Sequence, residues 1–305
     1  MVPLELNERF GGIARLYGQT GLSALNKARV CVIGVGGVGS WVVEALARSG
    51  VGELTLVDLD EVCITNVNRQ LPALEGSFGN FKVEELKTRV ENIFPACKVY
   101  ARIEFFNKKN YGEILKDGFD YVIDAIDNVQ NKVLLISECY SRKIPIITSG
   151  AAGGRLDGTK VQVTDLVKAT HDPLLSKVRS NLRKEHGFPR APKKMGVQCV
   201  FSPESPVYPK KDGSICSSRK EMDKDGSAMK LNCEWGFGSA TYVTGASVTF
   251  SGGNDGRDAA GNAGSSANYT ATLTNGHVSS IDLTGGLLAS RGDGYDSLPT
   301  VTLSA

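Results

Sequence analysis

The sequence predicts an α/β fold on a mostly parallel sheet, from three observations. An apolar run, Val30-Cys31-Val32-Ile33, ends in the pattern Gly34-x-Gly36-x-x-Gly39, and a helix-like run from Trp41 to Arg48 follows. A second run, Glu53-Leu54-Thr55-Leu56-Val57, ends in an acid, Asp58, about 20 residues after the last glycine, the spacing of a nucleotide-binding βαβ unit. Strand-like runs at 29–33, 53–58, 98–103, 120–124 and 144–148 then alternate with helical runs near 40–49, 82–93, 109–116 and 129–142. Strands alternating with helices argue a parallel sheet covered on both faces, with its ligand at the carboxyl ends of the strands.

Each element has a local reason. Gly34 permits a tight turn, Gly36 lets backbone N–H groups approach a phosphate, and Gly39 lets the helix lie close on the strand. The helix N-terminus offers free N–H groups to an anion, and Asp58 suits a ribose hydroxyl. The alternative is a glycine turn required by packing alone. Residues 1–27 read as a solvated helix beside the core, or as an arm carrying Arg9 or Arg15 to a phosphate, whose geometry a guanidinium matches.

The residues after the strands are polar: Asp60, Asn66, Asn68, Arg69 and Gln70 after the second, Asp127 and Asn128 after the fourth, and Ser149 to Gly154 after the fifth. Lys82 opens the 82–93 helix, where the helix dipole disfavours a cation, so it is either solvated or set against an anion. Residues 155–166 alternate and predict a hairpin around Asp157-Gly158. From 168 to 194 the chain is basic: Lys168, Lys177, Arg179, Arg183, Lys184, Arg190, Lys193 and Lys194 stand against Asp172 and Glu185, as a solvated surface or a nucleic-acid backbone patch. Residues 195–246 read as loop-rich. After Ala246 the composition changes: residues 247–305 hold no lysine and no cysteine, and Asn275-Gly276 between two alternating runs signals a hairpin. This tail reads as β-rich or disordered.

At 305 residues the chain can bury a full core. A formal net charge of +2 excludes no class of partner. There is no apolar run of about 18 residues or more, so no membrane span is expected. The N-terminus lacks the basic start and apolar core of a secretory signal. Seven cysteines (Cys31, Cys63, Cys97, Cys139, Cys199, Cys216 and Cys233) form no C-x-x-C pair. Neither a structural zinc site nor a disulfide framework is expected, and a reducing cytoplasm is the natural compartment.

Two nucleotide chemistries compete on these residues. A dinucleotide dehydrogenase needs the glycines and Asp58 but no triphosphate clamp. An adenylating enzyme also needs cations at the phosphates and a carboxylate for Mg²⁺, and Arg69, Lys82 and Asp127 are residues of those types after the strands.

The motifs Gly34-x-Gly36-Gly37-x-Gly39, Asp58-x-Asp60, Asn66-Val67-Asn68-Arg69-Gln70, Lys82 and Asp127-Asn128 resemble the Rossmann-like adenylation domain of the ubiquitin-activating-like ThiF/MoeB/HesA superfamily. Within it, Arg9-Phe10-Gly11-Gly12-Ile13-Ala14-Arg15-Leu16-Tyr17-Gly18, Val163-Thr164-Asp165-Leu166, Cys199-Val200-Phe201-Ser202 and Gly236-Phe237-Gly238-Ser239 resemble the tRNA threonylcarbamoyladenosine dehydratase branch. The resemblance covers roughly residues 5–246. It implies an N-terminal arm (1–27), an ATP-binding adenylation domain (28–246) and an unrelated tail (247–305) where the family would continue with an apolar helix.

The resemblance also implies roles. Gly34, Gly36, Gly37 and Gly39 would hold the ATP phosphates and Asp58 the ribose, with Asp60 and Asn128 beside them. Asn66, Arg69 and Lys82 would contact phosphates, and Asp127 would hold Mg²⁺. Arg15 or Arg9 would cross into the site of a second subunit in a homodimer. The implied reaction is ATP-dependent cyclisation of N6-threonylcarbamoyladenosine in tRNA, with a cysteine desulfurase system as a further partner. The alternatives are activation of the C-terminus of a ubiquitin-like sulfur carrier, which would want a zinc cage and a clear acceptor cysteine where Cys199, Cys216 and Cys233 read better as buried small residues, and a non-catalytic nucleotide- or tRNA-binding module.

Overall fold

The computed structural model describes residues 4–210 and 213–217 and, in the C-terminal stretch, the strands at 248–252, 268–274 and 277–284. The chain divides into two compact units, Met1–Ala246 and Ser247–Ala305.

The first unit is built on seven strands: β1 (Arg29–Ile33), β2 (Glu53–Val57), β3 (Lys98–Arg102), β4 (Tyr121–Asp124), β5 (Ile146–Ser149), β6 (Gln162–Asp165) and β7 (Gln198–Phe201), in the order β3-β2-β1-β4-β5-β7-β6. All neighbours are parallel except β6, which runs antiparallel to β7. In β1 every residue from Val30 to Ile33 is buried, as a strand covered on both faces requires. The chain builds outward from β1 to β3 and then returns to lay β4 on the other side of β1. The switch point therefore lies between the carboxyl ends of β1 and β4, where open α/β sheets bind their ligands.

Among the described residues six helices flank the sheet: α1 (Leu4–Lys27), α2 (Gly37–Arg48), α3 (Lys82–Ile93), α4 (Tyr111–Ile114), α5 (Val129–Arg142) and α6 (Pro173–His186). Helix α1 leaves helical geometry at Phe10 and Gly18 and buries Leu6, Phe10, Ala14, Leu22 and Leu25. The Phe10 ring stands edge-on to Phe94 at 4.9 Å, and Gly52 N donates to Leu25 O. Phe94 leads into β3 and Gly52 into β2, so these contacts of α1 lie at the amino ends of the strands, away from the switch point.

Three local expectations are corrected. Helix α2 begins at Gly37, so Gly37 and Gly39 lie inside its first turn. The 109–116 helix is a single α turn, Tyr111–Ile114, continued by a 3-10 turn to Asp117. The 155–166 hairpin does not form. The Asp157 carboxylate accepts from Thr159 N and winds Gly158–Lys160 into a 3-10 turn, and β6 takes its partner, β7, from far along the chain.

After the short pair β8 (Tyr208–Pro209) and β9 (Ile215–Cys216), the second unit holds an antiparallel sheet of β10 (Val248–Gly252), β11 (Asn268–Thr274) and β12 (His277–Thr284). Thr274 stands opposite His277, while Asn275 and Gly276, where a hairpin turn is expected, lie outside the described residues. Cys233 and the Gly236-Phe237-Gly238-Ser239 motif lie outside the described residues.

Candidate functional site

The three glycines at the end of β1 answer to different demands. Gly34 has φ +85°, and a Cβ there would lie 2.8 Å from Ala125 O. A Cβ on Gly39 would lie 1.9 Å from Gly34 O. The chain itself requires both glycines, because β1, α2 and the loop after β4 press together. At Gly36 the nearest atom to such a Cβ is Gln70 Nε2, 3.8 Å away, so the chain leaves that space open. Helix α2 begins there without a side-chain cap, which leaves backbone donors and the positive end of the helix dipole facing the gap. Gln70 is buried, and its Oε1 has no hydrogen-bond partner among the described residues. An uncapped helix start and an open glycine fit a phosphate, while the unsatisfied Gln70 Oε1, an acceptor, calls for a donor such as a ligand hydroxyl.

At the end of β2, the buried Asp58 carboxylate is held by two backbone amides: Val35 N donates to Oδ2 at 2.8 Å and Asp60 N to Oδ1 at 2.9 Å. Burial pushes this carboxyl up from its ordinary pKa, while the two amides and the Lys82 charge oppose the rise. Asp58 thereby ties the glycine loop to β2 and keeps lone pairs for further donors.

Lys82 is neither solvated nor unpaired. Its Nζ donates to Asp60 Oδ2 at 2.8 Å, with the lysine side chain 6% exposed and that of Asp60 51% exposed. Asn66 Oδ1 accepts from Cys63 N, and Arg69 Nη1 donates to Thr65 O and Asn68 Oδ1. Trp41 of α2 donates its indole N–H to Arg69 O, which holds the 60–70 segment against the glycine helix.

On the other side of the switch point, Asp127 and Asn128 are exposed after β4. Asn128 caps α5 by accepting from Asn131 N. The Asp127 carboxylate makes no hydrogen bond or ion pair within the described residues. Beneath them is a fully buried pair: Lys132 Nζ lies 2.9 Å from Asp124 Oδ1, both side chains at 0% exposure. Burial pushes the Asp124 carboxyl up, against the pull of Lys132, Thr148 and the Ile126 amide.

Sequence reasoning missed Lys132 and left Gln70 without a role. A signal for Lys132 existed: it stands three and four residues before the fully buried Leu135 and Ile136, hence on the inward face of α5.

Further along the rim, the buried Asp172 accepts from Leu175 N through Oδ1, capping α6, and from Ala151 N through Oδ2. Arg155, also buried, donates to His171 O. Val38, Ala151, Arg155, Phe201 and Ser202 border a narrow cleft of about 20 Å³ that begins at the first turn of α2. On and after α6, Lys177, Lys184, Arg190, Lys193 and Lys194 are exposed.

The remaining expected residues are dispersed. Arg9 Nη1 donates to Ile93 O, at the opposite end of α3 from Lys82. Arg15 is exposed on α1, its guanidinium beside Gly11. No contact of the described residues brings either arginine to its own chain's cluster. Cys199 and Cys216 are buried, and burial pushes the Cys199 thiol up to about 12, unsuited to an acceptor. Cys63 is exposed instead, its thiol drawn below the usual range by the hydroxyl that Thr65 donates. Among the described residues no cluster of three or more His, Cys, Asp or Glu could cage a metal, and no helix is long and apolar enough to cross a membrane.

Comparison with known proteins follows the same outline. Residues 11–246 match the ThiF family. The tRNA threonylcarbamoyladenosine dehydratase of Haemophilus influenzae is 50% identical over 238 residues, 78% of this chain and 87% of that protein. Its Escherichia coli namesake is 46% identical over 238 residues, 78% and 88% of the two chains. Among solved structures, TcdA (CsdL) superposes with a TM-score of 0.74 at 42% identity, covering 81% of this chain and 92% of that one. The E. coli dehydratase TcdA in complex with ATP gives 0.71 at 40% identity with the same coverage.

Proposed function

The chain belongs to the ThiF family, and on that footing we propose that it is an ATP-dependent enzyme that dehydrates N6-threonylcarbamoyladenosine in tRNA by adenylating the carboxylate of the modification. The observation that carries this reading is the extent of the likeness: 50% identity to a dehydratase over 238 residues, within a family match that contains every site residue from Arg15 to Asp172.

The residues divide the work. The glycine loop and the α2 N-terminus hold the ATP phosphates, and Asp58 offers its remaining lone pairs to the ribose. Lys82 exchanges the half-exposed Asp60 for a phosphate, as the exposure of that pair permits, while Asn66 and Arg69 complete the phosphate contacts. Asp127 supplies the protein carboxylate for Mg²⁺. A single carboxylate supplemented by phosphate oxygens and water suits Mg²⁺, which seldom occupies an all-protein cage.

ATP supplies an adenylyl group: a carboxylate oxygen of the threonyl moiety bonds to the α-phosphorus as pyrophosphate leaves. A heteroatom of the modification's own side chain then attacks the acyl carbon, gives up its proton and expels AMP, which carries off that carboxylate oxygen. The substrate thus loses the elements of water, and no enzyme nucleophile takes part. The chain's contribution is positioning and charge stabilisation.

The exposed cations on and after α6 meet the tRNA backbone. Two copies pair, so that Arg15 or Arg9 enters the site of the partner. The enzyme works in the cytoplasm beside a cysteine desulfurase system.

The test is mass spectrometry of nucleosides from threonylcarbamoyladenosine-containing tRNA incubated with the full chain, Mg²⁺ and ATP. Loss of one water with release of AMP, abolished in Lys82→Ala and Asp127→Ala, is the expected result. An unchanged nucleoside while ATP is bound overturns the reading.

A further inference from the structure

We propose that the buried Lys132–Asp124 pair is a positioning unit that aims Asp127 at the metal of the nucleotide site; this rests on the magnesium role given to Asp127 above. The Asp127 carboxylate is exposed and has no hydrogen bond among the described residues, so its direction is set by its backbone. That backbone is clamped one residue earlier. Ile126 N donates to Asp124 Oδ1 at 3.0 Å, and Lys132 Nζ donates to Ile126 O at 2.8 Å. The acid and the base of one ion pair thus grip the two polar groups of a single residue, the neighbour of Asp127.

The grip is itself fixed. Thr148 of β5 donates its hydroxyl to Asp124 Oδ2 at 2.6 Å, and Ala125 N donates to Ile33 O, anchoring the loop to β1. Lys132 Nζ lies within reach of Asp124 Oδ1, Ile126 O and, at 3.4 Å, Asp124 O. Its three donors are committed inside the fold, so it does not touch a ligand.

A requirement for packing alone does not explain the pair. Two charges with no exposure carry a desolvation penalty that well-packed apolar residues of the same volume avoid, so such pairs are poor stabilisers. What the pair adds is direction: hydrogen bonds fix the angle of a backbone as apolar contacts do not. It stands to Asp127 as an outer-shell partner stands to a metal ligand, where loss typically weakens metal binding about 10- to 100-fold.

The experiment compares three full-length proteins by calorimetric titration of Mg²⁺ in the presence of ATP without tRNA, alongside thermal unfolding: wild type, Asp127→Asn, and the double variant Asp124→Asn with Lys132→Met. Removing both charges together avoids the orphaned buried ion that either single change would create. The expected result is a double variant that unfolds near the wild-type temperature yet binds Mg²⁺ about tenfold more weakly, in the same direction as Asp127→Asn. If Asp127→Asn weakens Mg²⁺ binding and the folded double variant does not, the positioning role is overturned and the magnesium reading stands. If Asp127→Asn binds Mg²⁺ as wild type does, the magnesium reading falls and the inference falls with it.

Discussion

A lysine meets an aspartate on each side of the switch point, and the two pairs are built differently. On the β2 side, Lys82 is buried while Asp60 keeps half its side chain in solvent. On the β4 side, Lys132 and Asp124 have none. The first pair can trade its carboxylate for a phosphate at little cost, because the displaced aspartate returns to water. The second pair cannot exchange partners without stranding a charge in the core. The same two residue types thus serve chemistry where the pair is open and geometry where it is sealed.

Lys132→Met should break the comparison most visibly. Asp124 left unpaired should destabilise the fold by about 3–5 kcal/mol, read as a fall in the unfolding midpoint. Lys82→Ala should do the reverse, leaving the unfolding midpoint close to wild type while ATP-dependent turnover falls about 10²- to 10³-fold, the scale for one lost transition-state donor. If Lys82→Ala unfolds the protein while Lys132→Met leaves it intact, the comparison is wrong.

The glycines sharpen the same contrast. Gly39→Ala should cost about 1–3 kcal/mol of stability through overpacking against Gly34 O. Gly36→Ala should leave stability within about 0.5 kcal/mol and weaken ATP binding, measured by calorimetry.

A modest effect belongs to an ionic triad away from both pairs. Glu44 of α2 accepts from Arg89 of α3 at 2.6 and 3.0 Å and from Arg48 at 2.7 Å. Burial pushes the Glu44 carboxyl up, but these hydrogen bonds outweigh it and leave the carboxyl below its ordinary range. A depressed acid stabilises the fold above its unfolded pKa and loses that stabilisation as pH falls through its folded value. Glu44→Gln should therefore cost at most about 1 kcal/mol near neutrality, given the partial exposure of the arginines. That difference should begin to shrink only below the ordinary glutamate range and vanish once the pH has fallen below the depressed folded value.

Much of the β2 side was legible in the sequence because its signals are local. The glycine spacing, Asp58 closing an apolar run and Lys82 opening a helix are short-range patterns, and each lies where those patterns placed it. The burial of Lys82 was not legible, since Asp60, the residue that neutralises it, lies across a loop. On the β4 side Asp127-Asn128 could be read as a motif, but the pair beneath it could not. Asp124 ends a strand and Lys132 lies in a helix, and only the folded crossover stacks them. The hairpin expected near Asp157-Gly158 failed for the same reason. The alternation was real, but the strand that answers it is β7, and a side-chain cap at Asp157 claimed the turn.

Asp172 has a mechanical consequence. One oxygen of this carboxylate caps α6 and the other holds Ala151 N, and a Cβ on Gly150 would fall 2.2 Å from that second oxygen. The helix and the rim loop are therefore tied through one carboxylate, with the Arg155 to His171 O bond beside it. The start of α6, and with it the first residues of its cationic surface, is thereby held in fixed register with Ala151, which lines the same cleft as Val38 of the glycine helix.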